Sequence, residues 1–400
     1  MTVASDEGTA SDRSLVPLHC TRFAASGPPR PAELPNGTAV WTVSRYRDAR
    51  QVLTDPRFSR SLLHADDAPP LDDTFNLVDD PALLFNQDGP DHQRLRRTVQ
   101  RAFTPRAVAH WRPWVSEVVE RLLDELVGKE PPVDIVAAFT LPLPVAVVSR
   151  LMGLDGLDVE RLRYWSDHVL AYTADNDPQA AAVLTEFAEF SAELISARRG
   201  RPGDDLVSTL LRAADEVGDI PEDQLVSLVG GLTVGGHDST MTALSNSLVY
   251  LLGERPESWS RLGGDLSAAE AVGERLLHWI PLGDDPGSTR RAAEDVEVGG
   301  VTIPAGSVVV VDVGSASRDP EVYPSGPFGD LFAPMEGPTL AFGAGPHHCL
   351  GAWLIRMELP MALNRLAARL PGLRLSEPVD AIEWREGGTT RSPKRLVVTW

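Results

Sequence analysis

Cys349 lies in the segment Phe342-Gly343-Ala344-Gly345-Pro346-His347-His348-Cys349-Leu350-Gly351. Its three glycines let the backbone turn tightly and approach a flat ligand. A helical pattern follows from about Gly351 to Leu370, closed by Pro371-Gly372. The cysteine therefore precedes a helix N-terminus, where unpaired N–H groups and positive potential stabilise a thiolate, the form that binds metal. Two other readings stand beside metal ligation. The loop could be structural and its thiol inert, the ordinary fate of a lone cysteine. Zinc is the other, since His347 and His348 are adjacent, although no second Cys/His cluster has zinc spacing.

Two further groups have spacing that invites chemistry. His92 and Arg96 are four apart and share a helix face; alone, such a pair is a surface feature. Gly235-Gly236-His237-Asp238-Ser239-Thr240 interrupts a long helical pattern over 221–252. Each interior glycine costs roughly 1 kcal/mol against alanine, and close packing is the simplest reason to keep two.

The elements that must position these groups follow from periodicity and breakers. Residues 39–46 alternate as a strand after an Asn36-Gly37 turn signal. Residues 61–81 read as an irregular loop, and a helical period dominates from about 91 to 253. Arg199 to Asp205 breaks it before a helix starting near Asp205. Residues 296–313 read as short strands around a Gly-Gly turn. The Pro- and Gly-rich run 319–348 is long enough for an irregular stretch to suggest function. The chain is mainly α with a smaller β portion near each end. Residues 1–14 read as a flexible tail and 15–400 as a single domain.

Composition excludes several classes. The formal charge of −20 over 400 residues argues against nucleic acid and anionic membranes as partners. Arg94, Arg96, Arg97, Arg101 and Arg106 run the other way, as a solvated face or a local basic site. Two cysteines, Cys20 and Cys349, make no disulfide framework, and a reducing cytoplasm suits them. No apolar run of about eighteen residues predicts a membrane span, and Met1 to Val16 has no signal core.

The cysteine loop resembles the haem-binding signature of cytochromes P450, Phe-Gly-x-Gly-x-His-x-Cys-x-Gly, at every fixed position. Arg356, Glu358 and Leu359 continue the resemblance, as do Val40–Tyr46, Asp55–Arg60, Asp88–Pro105, Asp134–Leu151, Pro202–Leu206 and Val298–Gly306. The resemblance implies the cytochrome P450 fold, with heme b (iron protoporphyrin IX) between the long central helix and the Cys-loop helix. It makes Cys349 the metal ligand, a thiolate that favours O–O cleavage, with Phe342, Gly343, Gly351 and Gly235 beside the cofactor. His92, Arg96, Arg290 and His347 would contact propionates. Asp238 would relay protons. Ser239 would hold the dioxygen, where the family usually has threonine, and Thr240 could share that task. Serine keeps the hydroxyl but loses the methyl that restricts its rotamer. With no fused flavin domain, electrons must come from a separate ferredoxin and ferredoxin reductase. The arginine cluster borders the family's donor face, and acidic ferredoxins suit it.

One family feature is missing. The Glu-x-x-Arg motif falls on Arg275 and His278, and no Arg or Lys occurs between Asp319 and Ile355 to complete the family's ion triad. The triad would have been replaced as a unit, since losing one partner is costly. Glu274 and His278, four apart, could form a shifted local pair.

By the same resemblance the substrate pocket draws on 61–87, 165–180, 229–237, 282–289 and 386–391. Its candidates are Trp165, His168, Tyr172, Val234, Ser288, Thr389 and Thr390. The polar run Gly283–Ser288 suits a polar natural product, peptide-like or macrocyclic. The expected activity is hydroxylation or epoxidation of a bacterial secondary-metabolite intermediate. The alternatives are oxidative C–C or C–N coupling of aromatic or peptide-like substrates without oxygen insertion, and a non-catalytic haem or ligand-binding protein.

Overall fold

The computed structural model describes residues 26–400 apart from 35, 72–73, 76–78, 155–158, 171–172, 175–177, 219, 284–285, 327–328 and 386–387. The expected tail, Cys20 and Tyr172 lie outside the described residues. The helices are α1 Tyr46–Thr54, α2 Gly89–Val99, α3 Pro105–Val127, α4 Pro142–Met152, α5 Val159–Val169, α6 Pro178–Gly200, α7 Leu206–Val217, α8 Glu222–Gly253, α9 Pro256–Leu262, α10 Leu266–Trp279, α11 Val313–Ala316 and α12 Ala352–Arg369. The strands are β1 Arg30–Glu33, β2 Ala39–Val43, β3 Phe58–Ser59, β4 Thr74–Phe75, β5 Val133–Asp134, β6 Thr173–Ala174, β7 Arg290–Ala292, β8 Val296–Val298, β9 Val301–Ile303, β10 Val308–Val311, β11 Arg374–Leu375 and β12 Val397–Thr399.

The main sheet has the order β1-β2-β10-β7-β3, with only β2 and β10 parallel. The β1–β2 hairpin turns at Gly37, whose φ of +86° suits glycine. The strand expected over 39–46 stops at Val43. At Tyr46 the chain already starts α1, and the Asp319 carboxylate accepts its N–H at 2.8 Å, satisfying a donor that the new helix cannot. The turn at Gly299-Gly300 joins β8 to β9, both residues at positive φ.

Local chemistry sets the helix ends. Thr104 caps α3 through Ala107 N–H at 3.3 Å, and Asp205 caps α7 through Ser208 N–H at 2.7 Å. Gly153 ends α4 in the left-handed region at φ +74°. The long α8 runs through the main apolar core and is buried on most of its circumference, as expected of a helix apolar all round. It contacts α4, α6 and α12. Helices α10 and α12 also pack closely. A Cβ at Gly273 of α10 would lie 3.3 Å from Pro360 of α12.

The face of α10 corrects one expectation. Glu274 does not pair with His278; it forms a two-pronged ion pair with Arg356 of α12, at 2.8 Å for each bond. Arg356 reaches it because α10 lies against α12, whereas His278 points to the other side, toward Thr339. His278 is buried among Trp279 and Tyr323. Burial first, then the nearby Arg318 guanidinium, lowers its pKa to about 4.

Two outcomes follow from this packing. The end of α9 sits on α12, where a Cβ at Gly263 would fall 2.7 Å from the Ala368 backbone nitrogen, while one at Gly264 meets nothing nearer than 3.5 Å. Gly263→Ala should therefore destabilise by about 1–3 kcal/mol and Gly264→Ala by far less, read from urea midpoints. The folded state also holds His278 neutral below the unfolded value of about 6.5. As pH falls, the unfolded chain binds the proton first, so this contribution is whole above pH 6.5 and is lost toward pH 4. Its slope is at most about 1.4 kcal/mol per pH unit, and His278→Gln should flatten the acid limb of stability by that slope.

Candidate functional site

Gly343 and Gly345 stand at φ +66° and +69°. At Gly345 a Cβ would lie 2.8 Å from the Leu53 carbonyl oxygen and 3.1 Å from Thr54 Cα. The loop thus presses on the end of α1 where only glycine fits. It closes through His348 N–H to Gly345 O at 3.1 Å and Cys349 N–H to Phe342 O at 2.9 Å. Cys349 is surrounded by protein yet keeps open surface, which places it on an inner wall of the molecule. Burial pushes its thiol up. The N–H of Gly351, the Arg96 guanidinium, the N–H of Ala352 and Arg356 pull it back without offsetting burial. The helix N-terminus expected to favour the thiolate is present, but the free thiol keeps its proton until a cation takes the sulfur.

Along α8 the exposed Gly235 and the half-exposed Gly231, Leu232, Gly236 and Ser239 share one face, an open stripe on a buried helix. A Cβ at Gly235 would meet nothing within 4 Å. The Ser239 hydroxyl donates to Gly235 O at 2.6 Å and Thr240 to Gly236 O at 3.1 Å, back-bonds that loosen a helix locally. Asp238 turns the other way. Its carboxylate accepts from Thr390 Oγ1 at 2.7 Å and pairs with Arg385 at 3.2 Å. Arg385 also bonds Asp167 of α5, whose other neighbour is Arg163 at 3.6 Å. Asp238, Arg385, Asp167 and Arg163 form a charged chain from the buried acid toward the surface. Ser166, beside Asp167, holds the buried His237 at 2.8 Å.

A basic cluster gathers around Asp88. That carboxylate accepts from Ser59 Oγ at 2.7 Å, Arg60 N–H at 2.6 Å, Ser61 N–H at 2.8 Å and His347 Nε2 at 3.0 Å. Burial alone would raise its pKa, but the bonds from His347, Ser61 and Ser59 win and depress it strongly. The His347 ring lies 4.4 Å from that of His92. Burial, then His347 and Arg96, lower the pKa of His92 to about 4. His92 Nε2 and His347 Nδ1 are buried with no hydrogen-bond partner. Arg96 bonds His348 O in the cysteine loop. Arg290 and Arg60 both donate to Thr289 O, at 2.8 and 3.1 Å.

The structure thus brings His92, Arg96, Arg290 and His347 to one cluster, with Arg96 also bonded to the loop that carries Cys349. Asp238, Ser239 and Thr240 lie on adjacent faces of α8. The arginine run divides: Arg96 turns inward, while Arg97, Arg101 and Arg106 are exposed. Trp165 is fully buried against Phe187 and Phe190, and Val234 is buried one residue off the open stripe. Ser288 Oγ is buried and donates to Val311 O at 3.0 Å. Thr389 lies against Gly283, where a Cβ would fall 2.6 Å from its carbonyl oxygen, so the 282–289 and 388–391 segments do meet. His168 Nδ1 bonds back to Tyr164 O at 2.7 Å. Sequence reasoning missed Arg60, Asp88 and Arg385. The first two stood inside segments already matched to the family, while Arg385, about 150 residues beyond Asp238, left no signal.

The family model for cytochrome P450 matches residues 285–370. The chain is 41% identical to nocardicin C N-oxygenase of Nocardia uniformis subsp. tsuyamanensis, over 94% of this chain and 93% of that protein. It belongs to the cytochromes P450. It is 38% identical to mycinamicin IV hydroxylase/epoxidase of Micromonospora griseorubida, over 92% and 91% of the two chains. The solved structure of HinD with NMFT and NO superposes with a TM-score of 0.86 at 37% identity, covering 95% of this chain and 98% of that one. This P450 is accordingly a monooxygenase of the bacterial secondary-metabolite kind, and the family's cofactor is haem b. None of its helices among the described residues is long and apolar enough to cross a membrane.

In this P450 the buried Asp238 depends on one cation. Arg385→Met should cost about 3 kcal/mol, the lower end for breaking a buried pair, because Arg385 is partly exposed. In a double-mutant cycle with Asp238→Asn, the losses should fall short of additive by at least about 1 kcal/mol. Additive losses would mean that the pair carries no coupling.

Proposed function

We propose that the Cys349 thiolate would hold the iron of haem b and that the chain hydroxylates or epoxidises a natural-product intermediate. The observation that carries this reading is the open thiol wall beside a buried basic cluster. Three guanidinium groups, Arg60, Arg96 and Arg290, gather around the paired imidazoles of His92 and His347, the latter bonded to Asp88, a donor set suited to two propionates. An anion at His347 Nδ1 or His92 Nε2 would raise the imidazole pKa and turn the bare nitrogen into a donor. Gly235, Gly343 and Gly351 leave room for a flat ring. Phe342 contributes an apolar wall beside it.

Haem bound there supplies oxygen activation and the two-electron oxidation of substrate. The chain itself manages protons. Asp238, linked through Arg385 and Asp167 toward the surface, would pass protons to the neighbouring open face of α8. Ser239 offers its hydroxyl on that face, with Thr240 one residue on. Electrons come from a ferredoxin and its ferredoxin reductase. Exposed Arg97, Arg101 and Arg106, with Trp353 exposed on the first turn of α12, support docking of an acidic donor. Two sparse cysteines favour the cytoplasm. Around the substrate, Ser288, Thr389 and Thr390 supply the polar groups of the two segments that meet at Gly283.

Reduced protein under carbon monoxide should show the red-shifted Soret band of thiolate ligation, and Cys349→Ala should abolish it. Asp238→Asn should slow oxygen-dependent turnover about 10²-fold or more without moving that band. Ser239→Ala should divert reducing equivalents from product to peroxide. A colourless protein from haem-replete cells would defeat the reading. Coupled, oxygen-free product with candidate substrates would replace hydroxylation by oxidative coupling.

A further inference from the structure

The ion triad missing from the sequence leaves a question that the fold answers with different chemistry. Arg275 is buried on α10 and donates Nε to Ala333 O at 3.0 Å and Nη2 to Pro334 O at 2.7 Å. One turn later, His278 Nδ1 lies 3.1 Å from Thr339 Oγ1. Thr339 Oγ1 in turn accepts the Ala341 N–H at 3.0 Å. Between these anchors the Tyr323 hydroxyl donates to Pro338 O, and the Tyr323 ring lies 4.4 Å from that of His278. The clamped segment, 333–341, leads straight into the cysteine loop. There Gly343 N–H bonds Leu340 O at 2.8 Å and Cys349 N–H bonds Phe342 O at 2.9 Å.

Thr339 Oγ1 has one O–H and two lone pairs, so beside the bond it accepts from Ala341 it pairs with either tautomer of His278, donating to a bare Nδ1 or accepting from Nδ1–H. Burial keeps the imidazole neutral in both. A chain of bonds then runs from Ala341 N–H through the Thr339 hydroxyl to His278. Neither family residue could be restored singly. A glutamate at 275 would set its carboxylate against the carbonyls of Ala333 and Pro334, and an arginine at 278 would bring a buried charge to a site that offers it one hydroxyl.

We propose that His278 is a positioning residue for the thiolate: by holding Thr339 it sets the path of residues 339–349 and hence the place of the Cys349 sulfur, while Arg275 anchors the upstream end. The spectroscopic arm of the test rests on the haem-thiolate reading; the exchange arm does not.

The test compares Thr339→Val, which keeps shape and removes the hydroxyl, with Thr339→Ser, which keeps the hydroxyl, in the full-length holoprotein. His278→Gln serves as the second site. Three quantities are read: the share of the reduced carbon-monoxide complex in the thiolate form rather than the neutral-thiol form, the haem reduction potential, and amide exchange at Ala341 and Gly343. Thr339→Val and His278→Gln are expected to raise the neutral-thiol share several-fold, shift the potential and speed exchange at Ala341 at least tenfold. Thr339→Ser should behave as wild type. Unchanged spectrum and exchange in Thr339→Val would overturn the proposal. So would lower thermal stability with an unchanged thiolate share, since the contact would then be merely structural. Should His278→Gln fail to fold, the threonine pair still decides. If the wild type lacks the thiolate band, the haem-thiolate reading fails, and exchange at Ala341 alone upholds or overturns the clamp.

Discussion

Guanidinium groups crowded into a protein interior repel one another and lose their hydration, and the architecture around Cys349 is organised by that cost. Arg60 and Arg290 are buried, and Arg96 is half-buried against the cysteine loop. Carbonyls of Phe85, Gly287, Thr289 and His348 accept from them, and these come from three separate stretches of chain. The cluster therefore ties the loop before α2, the entry to β7 and the cysteine loop into one unit. Asp88, itself held by four donors, supplies negative charge within it. Charge of this sign beside a thiol that burial pushes toward its protonated form suits an anionic, metal-bearing ligand.

The same economy of charge shapes the other side of α8. Helix residues one position apart point about 100° apart, so Asp238 and Ser239 serve different neighbours. Asp238 faces the carboxy-terminal segment and α5, where cation and hydroxyl hold it. Ser239 faces the open stripe, where Gly235 has left space. The hydroxyls of Ser239 and Thr240 bond back to the Gly235 and Gly236 carbonyls within an unbroken helix. Arg385 links Asp238 to Asp167, so one guanidinium joins α8 to α5.

Legibility in the sequence followed the range of the interactions. Helix α8, the break before α7 and the Gly299-Gly300 turn were readable because periodicity, caps and turn residues are local. Cys349, His92, Arg96, Arg290 and His347 could be named because a specific motif and matched segments carry them. The burial of Val234 and Trp165 was not legible, because a segment can border a pocket while a given side chain in it turns inward; rotation about the helix decides that, and one sequence does not fix it. Arg385 was invisible since nothing near it in sequence marks its partner. The strand that ended early at Val43 did so because Asp319, far along the chain, supplies the acceptor that lets α1 begin.

The absent triad shows why motif loss and loss of function need not coincide. A buried network of ions is costly to break at one member and nearly neutral to exchange entirely. Here the exchange turned the required contacts from charge pairing into directional hydrogen bonding. Arg275 faces carbonyls, which no proton can neutralise, and His278 is neutral throughout the range where the cell operates. Glu274 takes no part in the contact between His278 and Thr339 and joins Arg356, which also stacks 4.3 Å over the Phe342 ring that opens the cysteine loop. Helix α10 thus meets the entry to the loop twice, through His278 at Thr339 and through Glu274 and Arg356 at Phe342. What the triad must deliver is a fixed path for the chain leading to the sulfur, and a guanidinium held by carbonyls, a neutral imidazole and one cross-helix ion pair meet that need.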